Sequence, residues 1–540
     1  MGHLTYWRNV LLTLMLIAIS PCLRAQYTEL HNFNWHAEGA NPNNPTLLAQ
    51  GLDGSLYGTL QSQLFHFGSV FSCAPDGTVV DLYDFLGKPD GNTPQSGLTL
   101  GWDGNFYGTT ERGGASDFGT VFKYRDGVTT VLYSFTNGAD GAYPWVPPIQ
   151  HPDGNLYGMT YNGTNPGRAY KLNPTTGAYT VIAVVPYQTT SPLILGTDGN
   201  LYGTTPAGGA FGVGTVFQLT TKGKLKIIHS FSGTNEGMRP AGPVMQGADG
   251  KLYGTTPWGG ANSNGTVYVM STSGGGYKTL HDFQILEGKN SSSGLVQGSD
   301  GFLYGAAQTG GANGLGTLFK VDTKGKNFQK LWDFTNSIPG ASGDTPMSTP
   351  TLHTNGIIYG TTEHGGTQMS PYGVLYSYNA GLKPFASLVV ITSGYANNAV
   401  GIIGQGFSTA TGVSFGNGPG QIIPINDTAA IVVPLTGAMT GPIKVHEPSG
   451  DLVTPQTFKV LPSISDFSPK NGPVGTVITI TGTSLKQTKS ITVGKAVTAS
   501  FTVVSDTQLT VPVPPGAVTG KIIVKTLGGS VTAKGTFTVQ

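Results

Sequence analysis

Cysteine, charge and long apolar runs are all scarce in this chain. Of two cysteines in 540 residues, Cys22 lies in an N-terminal segment with the marks of an export leader. The mature chain then keeps one thiol, Cys73, which excludes an internal disulfide. Cys73 ends the strand-like run Ser69-Val70-Phe71-Ser72 and reads as a small buried hydrophobe. Charged residues make up 11% of the chain and the net charge is +1, against a usual charged share of ~25%. That excludes a basic nucleic-acid binder. The apolar run over residues 10–19 is about half the ~20 residues that a membrane span needs. With Arg8 before it and Leu23-Arg24-Ala25 after it, the segment 1–25 reads as a signal peptide cleaved before Gln26, and the mature chain is expected to have no membrane span. None of the ten histidines forms a His-x-x-His or His-Glu-x-x-His pattern, so no metal site is expected. No phosphate loop is present either, because the Gly-Gly pairs lack a following Lys-Ser/Thr, and no cofactor is expected.

What the sequence has in plenty is glycine, 82 residues, with 35 prolines and 23 tyrosines. Few helix formers and many turn residues imply an all-β chain of short strands. A phrase of the form Asp-Gly-x-(Leu/Phe)-Tyr-Gly recurs seven times, with tyrosines at Tyr57, Tyr107, Tyr157, Tyr202, Tyr253, Tyr304 and Tyr359. The last copy is looser and carries Asn355-Gly356. Gly-Thr-Val-Phe or a variant follows most copies, as at Gly119 to Phe122, and then a Leu-x-x-Phe phrase, as at Leu132 to Phe135. Each period therefore offers four apolar runs. In the second they are 97–102, 105–110, 120–124 and 129–135, with Asp103-Gly104 supplying positive φ at a two-residue hairpin turn. Four antiparallel strands per ~50 residues suit a β-propeller. The chain also begins with an outer-strand phrase, Leu30 to Phe33, that has no partners before it, while the seventh copy lacks one. A seven-bladed propeller closed by the N-terminal strand follows, leaving no open sheet edge.

The Asp-Gly-Asn-Leu-Tyr-Gly-Thr-Thr, Gly-Gly and Gly-Thr-Val-Phe series resembles the Gloeo/Verruco (GloVer) tandem repeat of exported bacterial proteins. The third copy departs from it, with Gly167-Arg168-Ala169-Tyr170 in place of Gly-Thr-Val-Phe. This resemblance implies a repeat-built surface or secreted protein and brings no established activity. Beyond residue 383 the phrase stops. Pro462-Ser463-Ile464 through Phe467-Ser468-Pro469, Gly475 to Gly482 and Phe537-Thr538-Val539 resemble the IPT/TIG immunoglobulin-like domain. Residues 385–461 repeat that scheme loosely, Gly404-Gln405-Gly406-Phe407 paralleling Gly482-Thr483-Ser484-Leu485. The expected organisation is a signal peptide (1–25), a propeller (26–382) and two immunoglobulin-like β-sandwiches, 383–461 and 462–540.

Candidate chemistry is sparse. The repeated aspartates, Asp53, Asp103, Asp153, Asp198, Asp249 and Asp300, read as turn residues, since nothing resembles the closely spaced acids of a calcium loop. His229 and His281 lie inside outer-strand phrases and read as core-edge residues. Gly412-Val413-Ser414-Phe415-Gly416 matches a nucleophile elbow, but Asn417-Gly418-Pro419-Gly420 forbids the helix that such an elbow needs. No catalytic residue is assigned. The loops between outer and next inner strands, and those bearing Gly-Gly, open on one face. They carry Trp35, Trp145 and Trp258 beside Glu111, Arg112, Arg239, Glu363 and His364. Flat rings with polar neighbours hold sugars by stacking and hydrogen bonding, although tryptophans at these places also suit plugs between blades. The leading expectation is a monomeric, exported, non-catalytic binding or adhesion protein that recognises an extracellular polysaccharide or a cell-surface protein. The alternative is a secreted carbohydrate-active hydrolase or lyase working at the channel mouth.

Overall fold

The recurring Asp-Gly-x-Leu-Tyr-Gly phrase folds the same way in each repeat. The computed structural model describes residues 26–33, 48–61, 67–95, 97–161, 166–335, 342–366, 372–389, 392–498 and 500–540, so the expected leader and Trp35 lie outside the described residues. In the second copy, one Asp103 carboxylate oxygen accepts the backbone N–H of Asn105 at 3.1 Å while the other accepts the Tyr107 hydroxyl. All six Asp-bearing copies make the Tyr–Asp bond, at 2.6–3.0 Å. In the seventh, the Asn355 amide donates to Tyr359 Oη instead. The aspartates are thus consumed by the turn. The expected pair of positive φ values is corrected to one: Gly104 has φ 77° and Asp103 is not left-handed, because its side chain caps the turn.

The glycine after each tyrosine is needed for a different reason. A third-strand ring lies over it, from Phe71 over Gly58 to Tyr376 over Gly360, and a Cβ at any of the seven would fall within 3.0 Å of that ring. Such close approach admits only glycine. The second repeat forms strands Thr99–Leu100, Phe106–Thr110, Thr120–Arg125 and Val128–Ser134. Its inner strand is shorter than the expected 97–102, since Gly97 N–H turns sideways to Thr59 Oγ1 of the preceding blade and Gly101 N–H already closes the turn onto Asn105.

Seven four-stranded antiparallel sheets arise between Tyr27 and Tyr378, here numbered as blades 1–7 in chain order of their inner strands. The outer strand of blade 7 is the N-terminal Tyr27–Asn32, paired with Val374–Tyr378. It repeats the one-residue bulge seen where third and outer strands meet in the other blades, as at Val121/Phe122. Neighbouring blades share cores. Tyr157 and Met159 of blade 3, for example, pack with Leu201 and Phe217 of blade 4. A glutamine at the end of the inner strand latches four blades to their predecessors. Gln50, Gln150, Gln246 and Gln297 accept backbone N–H groups of Thr354, Trp102, Thr197 and Ala248 at 2.8–2.9 Å. The Gln50–Thr354 bond joins blade 1 to blade 7, as does His353, whose ring nitrogen meets Gly54 O at 2.8 Å. The ring is closed.

The strands from Ser387–Leu388 to Leu452–Val460 make an eight-stranded sheet wrapped round its own core, which includes Val400, Phe407, Phe415, Val432, Ile443 and Phe458. Ser414 lies on strand Gly412–Phe415, followed by strand Gly418–Pro424 and not by a helix. The last strands, Ser463–Ser468 to Thr538–Val539, enclose a second core that includes Phe467, Ile480, Leu509 and Phe537. The first sandwich docks on the Asp-Gly-turn face of the ring. Thr428 Oγ1 donates to Leu52 O at 2.7 Å, Gln405 Nε2 to Thr354 Oγ1 at 2.9 Å, and Lys459 Nζ to Thr197 O at 2.7 Å. The opposite face carries the remaining loops. Among the described residues, no helix is long and apolar enough to cross a membrane.

Candidate functional site

That opposite face is built from two sets of loops that meet in register. Asn92 pairs with Arg112, Met238 with Trp258, Lys289 with Thr309 and Asp344 with His364, each joining an outer-to-inner loop to a Gly-Gly loop. The paired glycines make the meeting possible. Gly259 has φ 77°, and a Cβ there would strike the backbone of Gly233 and Gly237 in the loop above it.

Two columns of the repeat lie in these loops. One, four residues after the repeat tyrosine, runs Gln61, Glu111, Tyr161, Pro206, Pro257, Gln308 and Glu363 from blade 1 to blade 7; the other, four residues before the inner strand, runs Gln95, Trp145, Thr190, Ala241, Ser292 and Met347 from blade 2 to blade 7. The side chains are unevenly distributed. Gln61 donates to Gln95, and Gln95 donates to Glu111, forming a hydrogen-bonded chain from blade 1 to blade 2. Trp145 follows in blade 3, stacked on Tyr161 with centroids 4.0 Å apart and planes 3° from parallel. Its indole N–H is buried without a hydrogen-bond partner among the described residues. A buried donor left unpaired costs about 1–3 kcal/mol. Blades 4–6 offer mostly proline and small residues at the same stations.

Arg239 and Trp258 are brought together on blade 5, the guanidinium 5.5 Å from the indole centroid. Arg112 lies 5.4 Å from the ring centroid of Tyr143. Glu363 and His364 meet Asp344, with His364 Nδ1 at 3.6 Å from Asp344 and 3.8 Å from Glu363. Burial pushes the Glu363 carboxyl above its ordinary range; the charge of Asp344 adds to this and His364 opposes it. Trp145 is half-buried between loops, whereas Trp258 is 43% exposed. Of the five exposed aromatic rings among the described propeller residues, Phe67, Tyr187, Phe211 and Trp258 belong to this face and Trp102 to the Asp-Gly turns. No group of three or more His, Cys, Asp or Glu side chains suited to a metal ion occurs among the described residues. Cys73 is a buried free thiol, and burial pushes its pKa up to about 12.

Sequence reasoning missed Gln61, Gln95, Tyr161 and Asp344. Gln61 and Tyr161 share a repeat column with Glu111 and Glu363, and Gln95 shares one with Trp145, so variable columns beside fixed ones were the available signal. His229 and His281 sit at the outer edge as expected. They stack on Tyr277 and Phe328, and each meets a carboxylate, Glu236 or Glu287.

A ring of four-stranded blades with a one-sided loop face and two appended sandwiches is the architecture of a repeat-built propeller protein. The chain belongs to the Gloeobacter/Verrucomicrobia repeat family, which it matches over residues 17–190 and 187–419. An IPT/TIG domain matches residues 462–539. No curated protein sequence matches the chain. Among solved structures it is similar to an oligogalacturonate lyase from Vibrio parahaemolyticus, with 14% identity over 65% of this chain and 93% of that one and a TM-score of 0.44. It is also similar to a gluconolactonase from Xanthomonas campestris, with 12% identity over 66% of this chain and 89% of that one and a TM-score of 0.34. A surface glycan-binding protein from Prevotella bryantii shares 17% identity over 36% of this chain and 43% of that one, with a TM-score of 0.23. Likenesses this distant leave the reading of the site to its own residues.

Proposed function

We propose that the loop face of the propeller binds carbohydrate without transforming it, and that the protein works outside the cytoplasm, exported under the leader 1–25. The observation that carries this reading is the arc over blades 1–3. There the Gln61–Gln95–Glu111 chain offers amide and carboxylate groups beside the Trp145–Tyr161 pair and its unpaired indole N–H. Sugar hydroxyls bond to such forks while the C–H face of the ring lies on an aromatic plane. The exposed rings Phe67, Tyr187, Phe211 and Trp258 extend the surface outward, which suits a polymer more than a single sugar. Propeller residues 26–382 then present the ligand face, and the segments 383–461 and 462–540 carry it. A glycan-array screen of the mature protein is the test. Binding that Trp145→Ala weakens supports the reading, and a blank array across neutral and acidic polysaccharides removes it.

A second reading, catalysis on the same glycans, draws on Glu363 alone. A carboxyl whose ionisation burial disfavours, beside His364 and Asp344, is of the kind that donates a proton in glycan cleavage. Product analysis after incubation with each bound glycan decides between the two. Products lost in Glu363→Gln support the enzyme, and intact glycan supports binding.

A further inference from the structure

The floor of the propeller holds a partly open cavity. Where the first sandwich docks, Phe385 reaches under the ring, its N–H donating to Thr354 O at 2.9 Å. A cavity of about 720 Å³ lies to the blade 4–6 side of it. The roof is the inner-strand pairs Met245–Gln246 and Val296–Gln297, with Leu295 and Leu352; the floor is the sandwich strand Leu452–Val460, exposing Val453, Pro455, Gln456 and Lys459. A space of this size between two folded units is the common setting of a small-molecule site.

Its longer polar side chains are Gln246, Gln297, Gln456 and Lys459, beside the hydroxyl-bearing Thr197, Ser299, Ser387, Thr454 and Thr457. The amides of Gln246 and Gln297 are used up in latching blades to their neighbours. Gln456 is different. Its Nε2 reaches Ser387 Oγ at 3.4 Å, but its Oε1 is buried with no donor among the described residues. Lys459 has one bond, to Thr197 O, and an ammonium carries three donors. No carboxylate lines the space. The flanking Asp249 and Asp300 are turned to Tyr253 and Tyr304, with Lys251 and Lys320 beside them. The apolar part of the wall is Met245, Leu295, Val296, Leu352, Val453 and Pro455, with Phe385 among them.

We infer that this interdomain cavity binds a small amphiphilic carboxylic acid, its carboxylate on Lys459, a hydroxyl or amide N–H on Gln456 Oε1, and its apolar body against Met245, Leu295, Leu352 and Phe385. The acid bridges propeller and sandwich, so the site exists only in the full chain. It is separate from the loop face, on the opposite side of the ring.

The test titrates the full-length mature protein with 3-hydroxydecanoate, decanoate and decanol by calorimetry, in parallel with thermal melting. The expected order of affinity is 3-hydroxydecanoate, then decanoate, then decanol, with about tenfold lost at each step as one polar contact is removed. Gln456→Leu is expected to erase the difference between the first two, and Lys459→Met the difference between decanoate and decanol. Trp145→Ala leaves all three unchanged, which separates this site from the loop face. Should Lys459→Met loosen the docking, Gln456→Leu still decides. No heat with any probe at millimolar concentration, or equal affinities in Gln456→Leu and wild type for both acids, overturns the inference.

Discussion

Placing a methyl group on the glycine of one Tyr-Gly pair tests why this repeat is written as it is. In blade 3, a Cβ on Gly158 would lie within 3.0 Å of the Oη, Cζ and Cε1 atoms of Tyr170, a residue with no exposed surface. The ring cannot swing aside, because it is edge-on to Phe135 at 5.7 Å and tilted on Tyr179 at 5.4 Å. Gly158→Ala should therefore cost about 1–3 kcal/mol, the range for overpacking a filled core. Tyr170→Leu removes the obstruction but leaves a void, at a cost of about 2–4 kcal/mol. In the double variant the new methyl enters that void, so the pair should cost at least about 1 kcal/mol less than the sum of the singles. Urea unfolding followed by tryptophan fluorescence gives all three values. Additive costs would refute the claim that ring and glycine are coupled, as would a neutral Gly158→Ala.

Deleting Tyr27 to Phe33 removes the outer strand of blade 7, including the buried Phe33 and the Tyr27 ring stacked 4.6 Å from Trp332. Phe33 alone is worth about 3–5 kcal/mol on truncation, so the deletion should abolish the folded ring, and an unchanged melting temperature would contradict closure by this strand. Acid should weaken the ring. Burial holds the His353 imidazole below its ordinary value, against the raising effects of Gly54 O and Asn355. The unfolded chain therefore takes up this proton first, and the stability present above about pH 6.5 falls as the pH drops toward the folded value. Melting temperatures between about pH 7 and 5 should fall less steeply in His353→Gln than in wild type, and equal slopes would sink the assignment. Residues 385–540 enclose two cores that use none of the ring. Expressed alone, they should melt cooperatively, and an unfolded fragment would show that they need the ring.

Much of the fold could be read in advance because it repeats. Asp103-Gly104 and Tyr107-Gly108 recur at a spacing that only a four-stranded blade accommodates, and the orphan phrase at Leu30 betrayed the seam. Other features came from pairwise contacts that no spacing reveals. Nothing in Leu48-Ala49-Gln50 or Ile149-Gln150-His151 says that Gln50 and Gln150 reach back to the preceding blade, and nothing in Leu352-His353-Thr354 marks His353 as a clasp between blades 7 and 1. The loop face was legible only in part, since Trp145, Glu111 and Trp258 announced themselves by residue type. Gln61, Gln95 and Tyr161 act only by standing beside them.

The central claim, that the arc over blades 1–3 holds a glycan, is tested most directly by calorimetric titration of Trp145→Ala with the best ligand from the array, well below the melting point of the variant. Loss of the half-buried indole should weaken binding by about 1–3 kcal/mol, the scale of a lost hot spot, while the circular dichroism of the propeller is retained. Affinity equal to wild type in a folded Trp145→Ala protein would contradict the account.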